Sequence, residues 1–345
     1  MRILVVSDAW LPQVNGVVRT LDTLKTELEH IGHAVVMVTP DRFRTMACPT
    51  YPEIRLALRP GPKLGRMIEA AQPCAIHIAT EGPLGWAARR YCLRRKLPFT
   101  TAYHTKFPEY IQARFGVPLP LSYALMRRFH GKSSCVMVAT QGIETELTRR
   151  GFQRIGRWSR GVDTELFRPR PEAKDKDGPL AGLARPVFLC VGRVAVEKNI
   201  EAFLNLDLPG TKVVVGDGPQ LDELRRHHPE VHFAGARFGE DLARHYAAGD
   251  VFVFPSRTDT FGLVLLEALA SGLPVAAYPV PGPVDVIGPS PAGVLAENLQ
   301  AAALEALAID PELCRDHALG FSWAASTRQF IENLSPLAAG GVAAE

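Results

Sequence analysis

The sequence predicts an α/β protein made of two doubly wound domains of parallel sheet, and three observations carry that reading. First, 345 residues with 47% hydrophobic and 22% charged side chains suffice for about two globular cores and exclude a disordered or fibrous chain. Second, short continuous apolar runs alternate with segments of helical spacing, as parallel strands buried between helices require. Third, the alternation stops in a polar, Pro-rich stretch at 168–186 and then begins again, so the pattern belongs to two domains joined by a linker.

The elements follow in order. The run at 3–6 ends in Ser7-Asp8 and leads through Asn15-Gly16 into a helix with Val18, Leu21, Leu24 and Leu28 on one face. Further strands are expected at 34–38, 75–78, 99–103 and 135–139. Glu81-Gly-Pro-Leu-Gly opens a helix after the third of these five strands, and Thr140 is placed to cap a helix over 143–150. After the linker, strands at 187–191, 212–215, 231–233, 251–254 and 274–277 alternate with helices near 199–206, 219–228, 240–247 and 262–271. This assigns 1–167 to the first domain, 168–186 to the linker and 187–320 to the second domain.

A formal charge of +3 conceals an uneven distribution: residues 1–150 carry 21 Lys/Arg against 11 Asp/Glu, whereas the remaining 195 carry 18 against 25. The first half therefore attracts anions; a lipid headgroup surface, a phosphorylated acceptor and nucleic acid all fit, as does a merely solvated helix face. Cys48, Cys74, Cys92, Cys135, Cys190 and Cys314 are scattered without metal-ligand spacing and read as reduced, mostly buried thiols of a cytosolic protein. The N-terminal apolar run is too short for a signal peptide. The longest apolar stretch, 263–280, is broken by Glu267, Gly272 and Pro274, so membrane contact is expected to be peripheral.

In doubly wound sheets ligands bind beyond the carboxyl ends of the strands, and the chemically loaded residues fall there. After the 187–191 strand comes Gly192-Arg193-Val-Ala-Val-Glu-Lys198-Asn199. A guanidinium fork and an ammonium beside a helix start suit a diphosphate, although ordinary surface cations share the pattern. After 251–254 comes Pro255-Ser-Arg-Thr-Asp259-Thr260-Phe261-Gly262-Leu263, with Glu267 inside the apolar run that follows. Such a carboxylate lies either on a solvated face or against hydroxyl and amide donors, which sugar and ribose diols supply. Asn15-Gly16 lets a phosphate approach the backbone. Gly216-Asp-Gly218-Pro219 reads as a turn, and the absence of G-x-G-x-x-G after the first strand argues against a nicotinamide oxidoreductase. His104 ends the 99–103 strand, where it is either structural or able to hydrogen-bond a sugar hydroxyl or polarise a leaving group; Glu81 stands likewise at a strand end.

These motifs together resemble retaining glycosyltransferase family 4. The likeness spans nearly the whole chain: Pro12-Gln-Val-Asn-Gly16, Gly161-Val-Asp163-Thr-Glu-Leu-Phe167, Gly192-Arg-Val-Ala-Val-Glu-Lys-Asn199, Gly216-Asp-Gly-Pro219, Pro255-Ser256, and Asp259-x7-Glu267 followed by Ala-Leu-Ala-Ser-Gly-Leu-Pro274. The family often has Gly-Gly where this chain has Asn15-Gly16, and usually Glu where it has Asp259.

The resemblance implies the GT-B fold, two Rossmann-like domains facing each other across a cleft, with 321–337 as a helix returning to the first domain. It implies that Gly192, Arg193 and Lys198 hold the donor diphosphate, with Asn15 and Gly16 approaching it from the first domain. Glu267 would bind the ribose; Asp259, Thr260, Phe261, Gly262 and Leu263 the transferred sugar; Gly235 and Arg237 the base. His104 would sit by the sugar, with Glu81, His104 and Lys106 on the acceptor side. His104, Arg193, Lys198 and Asp259 are thus the expected catalytic group. No cofactor and no metal is expected, since no Asp-x-Asp stands in a suitable loop.

Thr258-Asp-Thr-Phe-Gly262 and Ala102-Tyr-His-Thr-Lys-Phe-Pro-Glu-Tyr110 look most like bacterial lipid glycosyltransferases, including GDP-mannose-dependent α-mannosyltransferases and sulfoquinovosyl-diacylglycerol synthases. The implied reaction moves a hexose from a nucleotide diphosphate sugar, GDP-mannose first and a UDP-sugar second, to a lipid or lipid-linked hydroxyl. It would occur in the cytoplasm, at the inner face of the cytoplasmic membrane, without nucleic acid as a partner. A catalytically inactive nucleotide-sugar-binding module is the remaining alternative.

Overall fold

Ile3, Leu4, Val5 and Val6 are each at most 1% exposed, because β1 (Arg2–Val6) lies inside a six-stranded parallel sheet. The computed structural model describes residues 1–13, 15–48 and 51–337. The chain divides into two units, residues 1–159 with Trp323 onward, and residues 160–322.

In the first unit β1 leads into α1 (Gly16–His30), whose first turn is capped by Asn15: its side-chain oxygen accepts the Val17 and Val18 N–H groups at 3.0 Å each. Then come β2 (Ala34–Val38), an antiparallel hairpin of β3 (Thr45–Cys48) and β4 (Tyr51–Ala57), and α2 (Gly61–Ala71). The remainder is β5 (Ala75–Ile78), α3 (Pro83–Arg95), β6 (Thr100–Tyr103), α4 (Phe107–Phe115), α5 (Leu119–His130), β7 (Cys135–Val138), α6 (Gln141–Arg149) and β8 (Ile155–Arg157). Thr140 caps α6 as expected, its hydroxyl accepting from Ile143 N at 3.3 Å.

The strand order β2-β1-β5-β6-β7-β8 reverses direction between β1 and β5. The hairpin, α2, the α4–α5 pair and β8 were not expected. β3 and β4 pair outside the main sheet, so their residues lack the continuous apolar run of a buried strand.

The second unit runs β9 (Val187–Val191), α7 (Ile200–Leu204), β10 (Thr211–Val215), α8 (Leu221–His227), β11 (His232–Gly235), α9 (Gly239–Ala248), β12 (Val251–Phe254), α10 (Leu263–Ala270), β13 (Val275–Ala277), α11 (Pro281–Ile287), β14 (Gly293–Leu295), α12 (Leu299–Ala306) and α13 (Pro311–Leu319). Its order is β11-β10-β9-β12-β13-β14, with all pairs parallel and the reversal between β9 and β12. Residues 168–186 belong to this unit. Lys174 and Arg185 reach Asp250 Oδ1 at 2.9 and 2.8 Å, and Val187 N donates to Asp250 Oδ2 at 2.8 Å.

The last helix, α14 (Trp323–Asn333), is part of the first unit. Phe330 is fully buried, its ring centroid 5.0 Å from those of His77 and Trp158. Gln329 Oε1 accepts from Ser159 N at 2.8 Å, and Asn333 donates to the Arg157 carbonyl at 2.7 Å. Cys92, Cys190 and Cys314 are buried, which pushes their thiols up to about 12, while Cys74 is exposed.

Candidate active site

Because β9 and β12 are neighbours at the reversal of the second sheet, the loops that follow them lie side by side at its carboxyl edge. Three hydrogen bonds lock the loops together. Asn199 donates to the Pro255 carbonyl at 3.0 Å, and the hydroxyls of Thr258 and Ser256 donate to the Glu197 carbonyl at 3.1 and 3.4 Å.

The turn after β10 supports the first loop from the other side. Gly192 N donates to Val215 O and Val194 N to Asp217 O. A Cβ at Gly216 would lie 1.8 Å from the Gly192 carbonyl oxygen, and one at Gly218 would lie 2.3 Å from that of Val194. The Gly216-Asp-Gly218 turn is therefore glycine-bound by close backbone contact.

This scaffold brings together a cation and a carboxylate that are far apart in sequence. Lys198 Nζ sits 2.6 Å from Asp259 Oδ1, with the side chains 27% and 17% exposed. Asp259 Oδ2 is buried and accepts no hydrogen bond among the described residues, an unsatisfied acceptor of the kind that marks a ligand position. Arg193 lies half-buried on the same loop as Lys198. Gly262, at φ +87°, is the residue before α10; its carbonyl accepts Leu265 N at 2.9 Å, and the helix start as a whole favours negative charge. Thr260 and Leu263 are half-buried and Phe261 is buried. Gly282 of α11 packs under this loop, where a Cβ would stand 2.9 Å from the Asp259 carbonyl and 3.1 Å from that of Phe261.

Glu267 is 3% exposed, which decides against a solvated helix face. Tyr246 of α9 donates its hydroxyl to Glu267 Oε2 at 2.9 Å, the kind of donor that a buried carboxylate requires. Gly235 ends β11 at φ +76° and its carbonyl accepts Gly216 N at 2.9 Å. The exposed Arg237 folds back to the Ala234 carbonyl at 3.1 and 2.8 Å and to Asp241 at 3.2 Å.

In the first unit, the loops after β1, β5 and β6 share one edge, and an acid at each of the first two organises it. Asp8 is buried and accepts from Leu84 N at 2.8 Å and Gly85 N at 3.2 Å, capping α3 from a distant segment, with Thr80 Oγ1 at 3.0 Å. Burial outweighs these bonds and pushes Asp8 up to about 6. A Cβ at Gly82 would lie 2.4 Å from the Asp8 carboxyl carbon.

Glu81 is oriented by the fully buried His130, whose Nε2 is 3.2 Å from Glu81 Oε1 while Nδ1 is 3.0 Å from Thr101 Oγ1. His104 packs edge-on to Trp158, centroids 5.5 Å apart. Lys106, on the same loop, donates to Glu146 Oε2 at 2.8 Å. Asn15 and Gly16 start α1. Sequence reasoning missed Tyr246, Gly282, Asp8 and His130. Tyr246 falls inside the expected 240–247 helix with nothing to mark it, and His130 ends α5, which was not expected, whereas an acid ending an apolar strand was a visible sign for Asp8.

Among the described residues no three His, Cys, Asp or Glu side chains gather as a metal site, and no helix is long and apolar enough to cross a membrane.

Two doubly wound units, the second pairing a loop lysine with a carboxylate at its strand reversal, have the architecture of GT-B glycosyltransferases, the class of enzyme that uses nucleotide sugars. The chain belongs to glycosyltransferase family 4: residues 14–166 match the Glycosyltransferase Family 4 model, and residues 185–310 match that of the glycosyl transferases group 1. It is similar to a GDP-mannose-dependent alpha-mannosyltransferase of Mycobacterium tuberculosis, 30% identical over 317 residues that cover 86% of this chain and 83% of that protein. An alpha-monoglucosyldiacylglycerol synthase of Streptococcus pneumoniae is 29% identical, covering 92% and 81%. Among solved structures, sucrose-phosphate synthase of Thermosynechococcus elongatus shares the fold at TM-score 0.76 and 22% identity, covering 96% of this chain and 97% of that one.

Proposed function

We propose that the protein transfers mannose from GDP-mannose to a hydroxyl of a lipid or lipid-linked acceptor, with retention of configuration. The observation that carries the chemistry is the Lys198–Asp259 pair with its unsatisfied Oδ2. A diphosphate takes over Lys198, and a sugar hydroxyl satisfies Asp259. The mannose and GDP assignments rest on the similarity to the mycobacterial mannosyltransferase across 86% of the chain, and the lipid acceptor on the diacylglycerol glucosyltransferase relative.

On this reading Gly192, Arg193, Lys198 and the start of α10 neutralise the departing diphosphate, a preorganised stabilisation of developing charge in which no metal or cofactor takes part. Asp259 and the backbone from Thr260 to Leu263 orient the sugar. Glu267, held by Tyr246, accepts the ribose hydroxyls, and Gly235 and Arg237 flank the base. Asn15 and Gly16 approach the diphosphate from the first unit, and Glu81, His104 and Lys106 serve the acceptor side. The acceptor hydroxyl attacks the anomeric carbon on the face the phosphate leaves, the C–O bond to the phosphate breaks, and the phosphate oxygen receives the hydroxyl proton. The protein works in the cytoplasm at the inner membrane face.

The alpha-monoglucosyldiacylglycerol synthase relative favours one second reading, transfer of glucose, for which we take a UDP-linked donor as the form to test. Both are tested by incubating the protein with GDP-mannose or UDP-glucose and a membrane lipid extract, with and without a chelator, and by titrating GDP against UDP. Tighter GDP binding and mannosylated lipid support the first reading, tighter UDP binding with glucosylated lipid the second. No turnover with any donor would leave a nucleotide-sugar-binding module.

A further inference from the structure

Helix α3 leaves Glu81 and the Asp8-capped turn and carries Trp86, Arg90, Leu93 and Arg94 along one stripe, at spacings that share a helix face. From Trp86 to Arg94 the stripe runs roughly 12 Å at the α-helical rise. Helix α5 presents Leu121, Leu125 and Arg128 in the same manner. Between them lies a groove of about 310 Å³ lined by Trp86, Arg89, Arg90, Leu93, Arg94 and Arg128.

Four guanidinium groups thus meet without a carboxylate in the lining. Among the described residues no ion pair involves Arg90, Arg94 or Arg128, and all three are exposed. The contrast with the adjacent Arg95 is direct, since that side chain is paired with Glu69 at 3.1 Å and lies over Tyr91. Arg89 builds the groove floor: it donates to the Phe129 and Arg128 carbonyls at 2.8 and 2.6 Å and sits 5.4 Å from the Trp86 ring centroid. Burial, and after it repulsion from Arg128, holds the Arg89 pKa below the usual guanidinium range, as expected where like charges crowd without an anion. Beside the cations, Leu93, Leu125 and Leu121 are 39%, 46% and 65% exposed. Exposed leucines flanking a cation-lined groove with an amphipathic Trp are the composition of an interfacial surface.

We propose that this groove seats the phosphate of an anionic phospholipid headgroup, with Leu93, Leu121 and Leu125 entering the acyl boundary; the inference rests on the lipid-acceptor reading and assigns the surface that brings the protein to its acceptor. Arg90, Arg94 and Arg128 receive the phosphate, and Arg89 holds Trp86 in place. Each cation near an anionic surface contributes about 1 kcal/mol, or about five-fold in partitioning, so losing two costs about 30-fold and reversing them costs more.

The test is co-sedimentation of the full chain with phosphatidylcholine vesicles that contain or lack phosphatidylglycerol. Binding is expected only to the former, to weaken with salt, and to fall at least about 30-fold in Arg90→Glu/Arg94→Glu. The charge-matched Arg66→Glu/Arg149→Glu variant, at exposed positions outside the groove, should lose far less, and GDP binding should be unchanged in both. Quenching of tryptophan emission by brominated lipid should disappear in Trp86→Phe. Equal losses in the two charge variants would show diffuse attraction and overturn the groove, as would quenching that survives Trp86→Phe. Complete displacement from vesicles by inorganic phosphate at matched ionic strength would reassign the groove to free phosphate and overturn the lipid assignment. Intact groove-dependent binding with transfer only to water-soluble acceptors would refute the lipid-acceptor reading while leaving the groove standing.

Discussion

Neutralising Asp259 should tighten the binding of free nucleoside diphosphate while disabling transfer. Asp259 holds Lys198 through a 2.6 Å charged contact, so GDP, which brings a diphosphate and no sugar, must compete with that carboxylate for the lysine. A hydrogen bond between charged groups contributes about 1.5–3 kcal/mol; with side chains 27% and 17% exposed, a discounted figure of about 1–2 kcal/mol applies. Asp259→Asn removes the competing charge, so GDP affinity should rise about 5- to 30-fold. Turnover with the intact donor should fall on the order of 100- to 1000-fold, because the sugar loses a charged acceptor that is already in position.

Lys198→Met should do something different. It loses the phosphate cation, weakens GDP binding and lowers turnover to a similar degree. Calorimetric titration of GDP into both variants, beside single-turnover transfer, separates the two roles. If Asp259→Asn binds GDP no more tightly than the parent, the pair is not the gate argued for. If it keeps normal turnover, Asp259 does not hold the sugar.

Gly282→Ala places a methyl 2.9 and 3.1 Å from the Asp259 and Phe261 backbone carbonyls in the loop after β12, neither of which yields easily; on the proposed reading donor KM should rise several-fold and stability should drop by about 1–3 kcal/mol, so unchanged kinetics would detach α11 from the site. Tyr246→Phe keeps the ring packing against Phe167 and Phe252 but strips a donor from buried Glu267, costing about 1–3 kcal/mol in denaturant melts and weakening nucleotide binding; an unchanged melt argues against a critical bond. Folded Asp8 holds its proton up to about pH 6, above the ordinary Asp value of about 3.9, so its share of stability is present below about pH 4 and lost as pH rises through 6. Denaturation of the parent against Asp8→Ala across that window should therefore converge by about 3 kcal/mol toward neutral pH; parallel curves would refute the shift.

Much of this protein is local information. Ile3-Leu-Val-Val6, Phe188-Leu-Cys-Val191 and Val251-Phe-Val-Phe254 can only be buried strands, and the helical spacing between such runs makes the sheets parallel by itself. The loops that carry Arg193, Lys198 and Asp259 follow directly from where those strands stop, so the placement of these residues at strand ends is legible in the amino-acid sequence alone. What the sequence by itself could not determine depends on non-local pairing. The hairpin β3–β4 has no apolar signature because it is outside the main sheet, and the units exchange the chain at 159–160 and 322–323 rather than in the Pro-rich stretch, since Asp250 anchors that stretch to the second unit. Whether Glu267 faces solvent or core is decided by Tyr246, 21 positions away, whose hydroxyl reaches it. Lys198 and Asp259, 61 residues apart, touch only because β12 enters the sheet beside β9. Periodicity reports which face of a segment is buried, whereas the identity of the group that meets a buried charge is set by strand order, which only the tertiary structure decides.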